Sequence, residues 1–279
     1  MAFDSLLEEA RGRNPSATDE ALIVSVAADL VELLDLNPPI EPEIVASYQG
    51  IGRVERSPLA WAGCLVSDGD DLIIRVRQTD SPGRQRFTIC HEVAHTFFPG
   101  YRHSPQFRCT PLAAPTRRDP IEMLCDVAAS ELLLPARYVK SVIATSSFDL
   151  DTVESVAEEC DASLEAAARR LVSLWPEPSL LLRMERITKP REPRGEPKLR
   201  VSSTVTNGDW PFMPAYKSVR DDHVLNECLR GSPVDCIADL DDLASTRVGL
   251  VELHARPYPF TDSEGVHHDR VLALARRVP

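Results

Sequence analysis

The residues best suited to chemistry form a short motif in the first half of the chain. His91, Glu92 and His95 make the pattern H-E-x-x-H. On a helix, residues four apart are neighbours with Cβ atoms about 5–6 Å apart, which lets two imidazoles bind one Zn²⁺ at about 2.0–2.1 Å. Glu92 lies at the edge of the same face. We expect it to act as general base toward a water on the metal, whose pKa the metal lowers to about 7.

The residues around this motif predict a buried helix. Ser81-Pro82 offers a cap and a first-turn proline, and Pro99-Gly100 ends the helix. One face is apolar, with Phe87, Cys90, Val93, Ala94, Phe97 and Phe98. Buried histidines need polar partners, so a metal site is favoured over a chance pairing of histidines.

A catalytic zinc needs a third protein ligand and an open fourth position. The metzincin pattern is excluded, because Tyr101 stands where its third histidine would be and Phe98 where its glycine would be. His103 is a further candidate. Glu122 is the better one, since it opens a second predicted helix that is capped by Asp119 and followed by Pro135.

Glu122 and Asp126 lie four residues apart in this otherwise apolar helix. Like charges at that spacing repel, and carboxylates are rarely buried without compensation. A positively charged zinc–histidine centre between the two helices would compensate these charges. Glu122 would bind the metal, and Asp126 would accept a hydrogen bond from the free N–H of a ligand histidine. The alternatives are a first-turn Glu122 interacting with the helix dipole and an exposed polar Asp126.

Together these segments resemble the ImmA/IrrE metallopeptidases, whose members commonly read R-Q-R-F-T-x-x-H-E-x-x-H, followed by a glutamate that heads a helix ending in L-L-M-P. The chain matches at residues 84–95 and at 122–135, and it departs from the family at Cys125-Asp126 for the usual Ala-Asn, Ala128 for an aromatic and Leu134 for methionine. The resemblance implies a gluzincin-like zinc endopeptidase with His91, His95 and Glu122 as ligands and Glu92 as base. It also implies a protein substrate, often a helix-turn-helix repressor, cut to switch on stress or mobile-element genes.

Composition is typical of an intracellular enzyme. No apolar stretch approaches the about 18 residues of a membrane span, and the N-terminus lacks the pattern of a secretory signal. Seven cysteines, an odd number without C-x-x-C spacing, indicate reduced thiols and a cytoplasmic location. A net charge of −12 argues against sequence-independent binding to nucleic acid.

We predict an α+β fold in three parts. The first, residues 1–146, is a zincin-like metallopeptidase domain with a helix at 18–36 and a hairpin formed by residues 61–66 and 72–77. In zincin architectures an edge strand can bind extended substrate by β-augmentation. The alternative for this hairpin is a purely structural role.

Residues 147–176 have the outline of a helix-turn-helix segment. Residues 147–175 contain seven acids against Arg169 and Arg170, so a packing or protein-docking role is favoured over direct DNA binding.

After a proline-rich boundary, residues 177–279 form a mixed module. By family resemblance this is a GAF-like sensor or docking domain. The alternative function for the whole chain is a non-proteolytic regulatory scaffold with a structural zinc.

Overall fold

The computed structural model describes residues 5–68, 71–101, 107–108, 119–261 and 265–278. The chain divides into two compact units: Met1–Tyr138 with Ala157–Ser163, and Val139–Val156 with Leu164–Pro279. Helices and strands are mixed in both units, which confirms the predicted α+β class. The three-part division at residues 146 and 176 stays a prediction. Within the described ranges, no helix is both long and apolar enough to cross a bilayer.

The first unit combines a helical layer with a four-stranded sheet. Its elements are α1 (Leu6–Arg13), α2 (Asp19–Leu33), α3 (Pro42–Tyr48), β1 (Ile51–Ser57), β2 (Gly63–Asp68), β3 (Asp71–Arg77), α4 (Pro82–His95), β4 (Phe107–Arg108) and α5 (Pro120–Leu133). The sheet order is β1-β3-β2-β4, with β1 parallel to β3 and the other pairs antiparallel. The predicted hairpin is therefore confirmed as β2 and β3, with Leu65 opposite Ile74.

The core of this unit lies where α4 and α5 pack on each other, with α2 against α5 and the sheet beneath α4. Val26, Ile74, Val93 and Leu132 belong to this one buried cluster. Both helices that carry the predicted site residues are thus held on several sides by apolar contacts, which gives their polar side chains a fixed frame.

The second unit contains most of α6 (Ala136–Ile143) and of α7 (Leu150–Glu159). Its other elements are α8 (Leu164–Leu174), β5 (Ser179–Ile187), β6 (Lys198–Asn207), α9 (Leu225–Leu229), β7 (Val234–Asp239), β8 (Leu250–Pro257), β9 (Phe260–Thr261), β10 (His267–His268) and β11 (Arg270–Arg277). The main sheet is antiparallel with order β6-β5-β11-β8-β7. One face packs with α9 through Leu225 and Cys228, and α8 contacts β5 and β6.

An ion-pair cluster holds α8 on this sheet. Glu165 accepts hydrogen bonds from Arg169 at 2.8 Å and from Arg183 of β5 at 3.1 Å. Arg169 also donates to Ser203 of β6 at 3.2 Å. Helices α7 and α8 are the pair of helices that the sequence predicted within residues 147–176. Arg169, a basic residue of α8, is engaged in contacts within the chain. The helix-turn-helix character of the pair and its lack of DNA binding stay predictions.

Candidate metal centre

Helix α4 carries the H-E-x-x-H residues into the interior of the first unit. His91 is 4% exposed, and Glu92 and His95 are 0% exposed. The two imidazole rings lie edge to face, with centroids 5.1 Å apart and planes at 71°. The motif therefore places two imidazoles and a carboxylate together in a buried environment, as the sequence predicted.

The residues just before the motif fix the start of this helix. Gln85 donates a hydrogen bond to the carbonyl of Asp80 at 2.8 Å, and Arg86 donates to the carbonyl of Ile40 at 2.6 Å. Arg86 also lies 3.4 Å from the carboxylate of Asp161. These polar side chains satisfy backbone carbonyls near the start of α4, so they hold this helix in place.

Helix α5 brings the third predicted ligand to the histidines. Its first turn is capped by Asp119, whose side chain accepts from the N–H of Ile121 at 2.9 Å. Glu122 follows in that turn, and one of its oxygens lies 3.2 Å from Nε2 of His91 while the other lies 3.5 Å from Nε2 of His95. The Glu122 carboxylate thus faces the Nε2 atoms of both His91 and His95. Its role as a metal ligand stays a prediction.

Asp126 lies one turn further along α5 and contacts the other nitrogen of His91. Its Oδ1 is 2.9 Å from Nδ1 of the imidazole. Burial lowers the pKa of His91, but the hydrogen bonds to Asp126 and Glu122 prevail and raise this pKa to about 9. The two carboxylates therefore favour a positive charge at this place, which a proton on His91 or a bound metal cation supplies. A carboxylate on Nδ1 also fixes the ring so that Nε2 faces Glu122.

His95 has a different environment, although it faces the same glutamate. Burial and then the neighbouring His91 lower the pKa of His95 to about 4, so its ring is neutral and has a lone pair to offer. Its Nδ1 lies 3.5 Å from Sγ of Cys125. Burial raises the pKa of the Cys125 thiol, so the sulfur is present as a neutral, weak hydrogen-bonding group.

Cys125 also completes a second possible ligand set. Ligand atoms of His91, His95 and Cys125 all lie within 4.8 Å of one another, so this buried cluster can hold a metal ion. The sulfur, however, contacts Nδ1 of His95, whereas Glu122 faces Nε2 of both rings. The two nitrogens of an imidazole point in different directions, so we favour Glu122 as ligand and Cys125 as a group that orients His95.

Strand β2 lies against the helix beside Glu92. A Cβ added at Gly63 would overlap the Thr88 side chain and lie 3.0 Å from the carbonyl of Arg75 and 3.5 Å from Oε1 of Glu92. Only a glycine leaves room for this close approach of strand and helix. The backbone of β2 therefore forms part of the wall around the Glu92 carboxylate.

Sequence reasoning gave neither Gly63 nor Cys125 a role. Cys125 could have been found, because it lies three residues after Glu122 and thus near the same helical face. Gly63 gives no such signal, since its importance depends on the packing of a strand on a helix. His103, the other candidate ligand, lies outside the described residues.

All the residues of this centre lie within a region similar to known proteins. Residues 52–172 match the family model Peptidase_M78, the IrrE N-terminal-like domain, which supports the resemblance to the ImmA/IrrE proteins. Comparison with curated proteins finds no match. A solved structure, a Mycobacterium tuberculosis transcriptional regulator, is similar with a TM-score of 0.61 and 14% identity, over 97% of this chain and 81% of that one. At this identity the likeness concerns the fold alone.

Proposed function

We propose that the chain is a zinc-dependent endopeptidase that cuts a protein substrate. The observation that carries the proposal is the convergence of two imidazole nitrogens on one carboxylate, with Glu92 buried beside them. Two histidines and a glutamate are a catalytic zinc ligand set that leaves a fourth position for water or substrate. The match to a peptidase family over residues 52–172 supports the same reaction class.

The donor set fits Zn²⁺ in its chemistry. His91, His95 and Glu122 would hold the ion, and Asp126 and Cys125 would orient the two imidazoles from their Nδ1 sides. Bound zinc supplies a Lewis acid that polarises a peptide carbonyl and lowers the pKa of water. Glu92, buried beside the histidines, would accept a proton from the attacking water and return it to the leaving amine.

The site walls indicate where a peptide would lie. Strand β2 approaches α4 at Gly63, next to Glu92. A peptide bound against this wall would bring its scissile bond next to the Glu92 carboxylate. Strand β2 itself already pairs with β3 and, at Cys64 and Leu65, with β4. The family resemblance further suggests a helix-turn-helix repressor as substrate, so that cleavage would derepress stress-response or mobile-element genes.

A second candidate function rests on Cys125. If its sulfur bound the metal together with His91, His95 and Glu122, the four-coordinate site would be closed, as in structural zinc sites. The chain would then be a non-proteolytic regulatory scaffold. The side of His95 that the sulfur contacts favours the peptidase.

Direct cleavage tests the proposal. The zinc-loaded chain is incubated with a small helix-turn-helix repressor encoded beside its gene, and any products are mapped by mass spectrometry. We expect one defined cut that is lost with a chelator, restored by Zn²⁺ and absent in Glu92→Gln. The matched control is Glu154→Gln, the same change at an exposed position of α7. Cleavage that persists in Glu92→Gln or in chelator would overturn the assignment.

A further inference from the structure

A cleft in the second unit contains an arginine that is almost completely buried. The cleft has a volume of about 690 Å³, and Lys198, Arg200 and Ser218 line it. Arg200 lies on β6 and is 5% exposed. A charge at this depth needs compensation by a nearby opposite charge or by strong hydrogen bonds.

The partners of Arg200 are neutral. Its Nε donates to the carbonyl of Ile187 at 2.9 Å, and its Nη1 donates to the carbonyl of Tyr216 at 3.3 Å and to Oγ of Ser218. Across the described parts of the chain, no carboxylate oxygen lies within 4.0 Å of this guanidinium, and Nη2 donates no hydrogen bond. Among the described residues the buried guanidinium therefore has no direct ion-pair partner, although Glu192, Glu196, Asp221 and Asp222 also line the cleft.

The other cations of the cleft are already paired with carboxylates. Lys198 lies 3.0 Å from Asp221, and Arg220 lies 3.6 Å from Asp222. Both aspartates are more than four-fifths exposed, at 82% and 83%. Exposed pairs of this kind contribute little, so a ligand can draw Lys198 away from Asp221 at small cost.

We propose that this cleft binds a small molecule through an oxyanion, a phosphate or carboxylate group, with Arg200 as the anchor. The planar guanidinium matches the oxygens of such a group. Ser218 accepts from Arg200 and so keeps its own O–H for the ligand, and Lys198 adds a mobile positive charge. The site is independent of the proposed peptidase chemistry, and it gives the C-terminal module a ligand class to which it can respond.

Calorimetric titration of the full chain with pyrophosphate and, separately, with citrate tests the site and distinguishes the two kinds of oxyanion. We expect at least one probe to bind at one site per chain at low ionic strength. Arg200→Gln should weaken that binding about 10- to 100-fold, as expected for loss of a charge-assisted hydrogen bond. Arg191→Gln, which removes the same charge from an exposed loop position outside the cleft, should leave the affinity unchanged.

A second variant keeps the test valid if Arg200→Gln disturbs folding. Glu196 lines the same cleft and is exposed, so Glu196→Gln removes a competing negative charge while Arg200 and its hydrogen bonds stay in place. This variant should bind the probe more tightly than the parent chain. Absence of binding by the parent chain, or an affinity that neither variant changes, overturns the proposal.

Discussion

Sγ of Cys125 lies 3.5 Å from Nδ1 of His95, on the ring nitrogen that does not face Glu122. Asp126, the next residue on α5, contacts Nδ1 of His91 in the same way at 2.9 Å. One helix therefore holds both imidazoles by their outer nitrogens and presents a carboxylate to their inner ones. This arrangement makes α5 as important to the centre as the helix that carries the histidines.

Experiment can distinguish whether Cys125 orients His95 or binds the metal itself. If it only orients His95, Cys125→Ala should keep full zinc occupancy and cleavage, with metal affinity reduced by no more than about 10–100-fold. The Co²⁺-substituted parent chain should then show no thiolate-to-cobalt charge-transfer band in the ultraviolet spectrum. Such a band, lost in Cys125→Ala but kept in Cys160→Ala, would make the sulfur a ligand and favour the scaffold function.

Glu122 is expected to be essential for metal binding, because its carboxylate faces Nε2 of both histidines. Glu122→Gln should lower zinc affinity by more than the about 10–100-fold typical of an outer-shell change. Asp126→Ala should fall within that range, and Asp126→Asn, which keeps an acceptor oxygen, should be milder. Elemental analysis and competition with a chelator measure all three. Unchanged zinc in Glu122→Gln would remove Glu122 from the site.

Glu92→Gln should separate binding from chemistry. The carboxylate is buried beside the histidines, and in the proposed centre it acts on the attacking water while His91, His95 and Glu122 hold the metal. The variant should therefore retain zinc and fold, while its cleavage rate falls about 10²–10⁴-fold, the usual effect of losing a general base. Zinc content and single-turnover cleavage are measured on the same preparation. A variant that cuts at the parent rate would point to a different base.

Local sequence signals predicted α4 and α5 well, because the residues that cap and end each helix lie within or next to it. Ser81-Pro82 and Asp119-Pro120 mark the observed starts of α4 and α5. The spacing of His91 and His95 predicted that both imidazoles lie on one face of α4, where they could bind the same metal ion. The contact of Asp126 with His91 also followed from helical geometry and charge. The Cys125–His95 contact did not follow from charge, since a thiol carries no charge that needs a partner, and only its spacing of three residues from Glu122 pointed to the same helical face.

Strands formed by long-range pairing were harder to predict. In β1, Arg53, Glu55 and Arg56 hide any alternation, and the strand forms because it pairs in parallel with β3. In β5, Leu180, Leu181 and Leu182 are all buried. A strand covered on both faces has no alternating pattern, so the sequence gives no periodic signal for β5.

Gly63→Ala tests the close approach of β2 to α4. The new methyl group would overlap Thr88 and crowd Glu92, so we expect a stability loss of about 1–3 kcal/mol and reduced cleavage with zinc still bound. Gly52→Ala on β1 is the matched control, because its Cβ would meet neighbours only at 3.6 Å or beyond. Urea unfolding and cleavage assays compare the two. Equal effects of both substitutions would show that the Gly63 contact has no special importance.

The last prediction concerns the acid stability of the second unit. Burial raises the pKa of Glu165, but Arg183 and Arg169 prevail and hold this pKa below its ordinary value. A carboxyl group with a depressed folded-state pKa stabilises the fold above its unfolded-state pKa of about 4.3, and that contribution is lost as the pH falls through the lower folded-state value. Glu165→Gln should therefore destabilise the chain at pH 7 and flatten the acid side of its stability profile. Urea unfolding between neutral and acidic pH measures this, with exposed Glu158→Gln as control. A Glu165→Gln profile parallel to that of the parent chain would show that the ion-pair cluster does not hold α8 on the sheet.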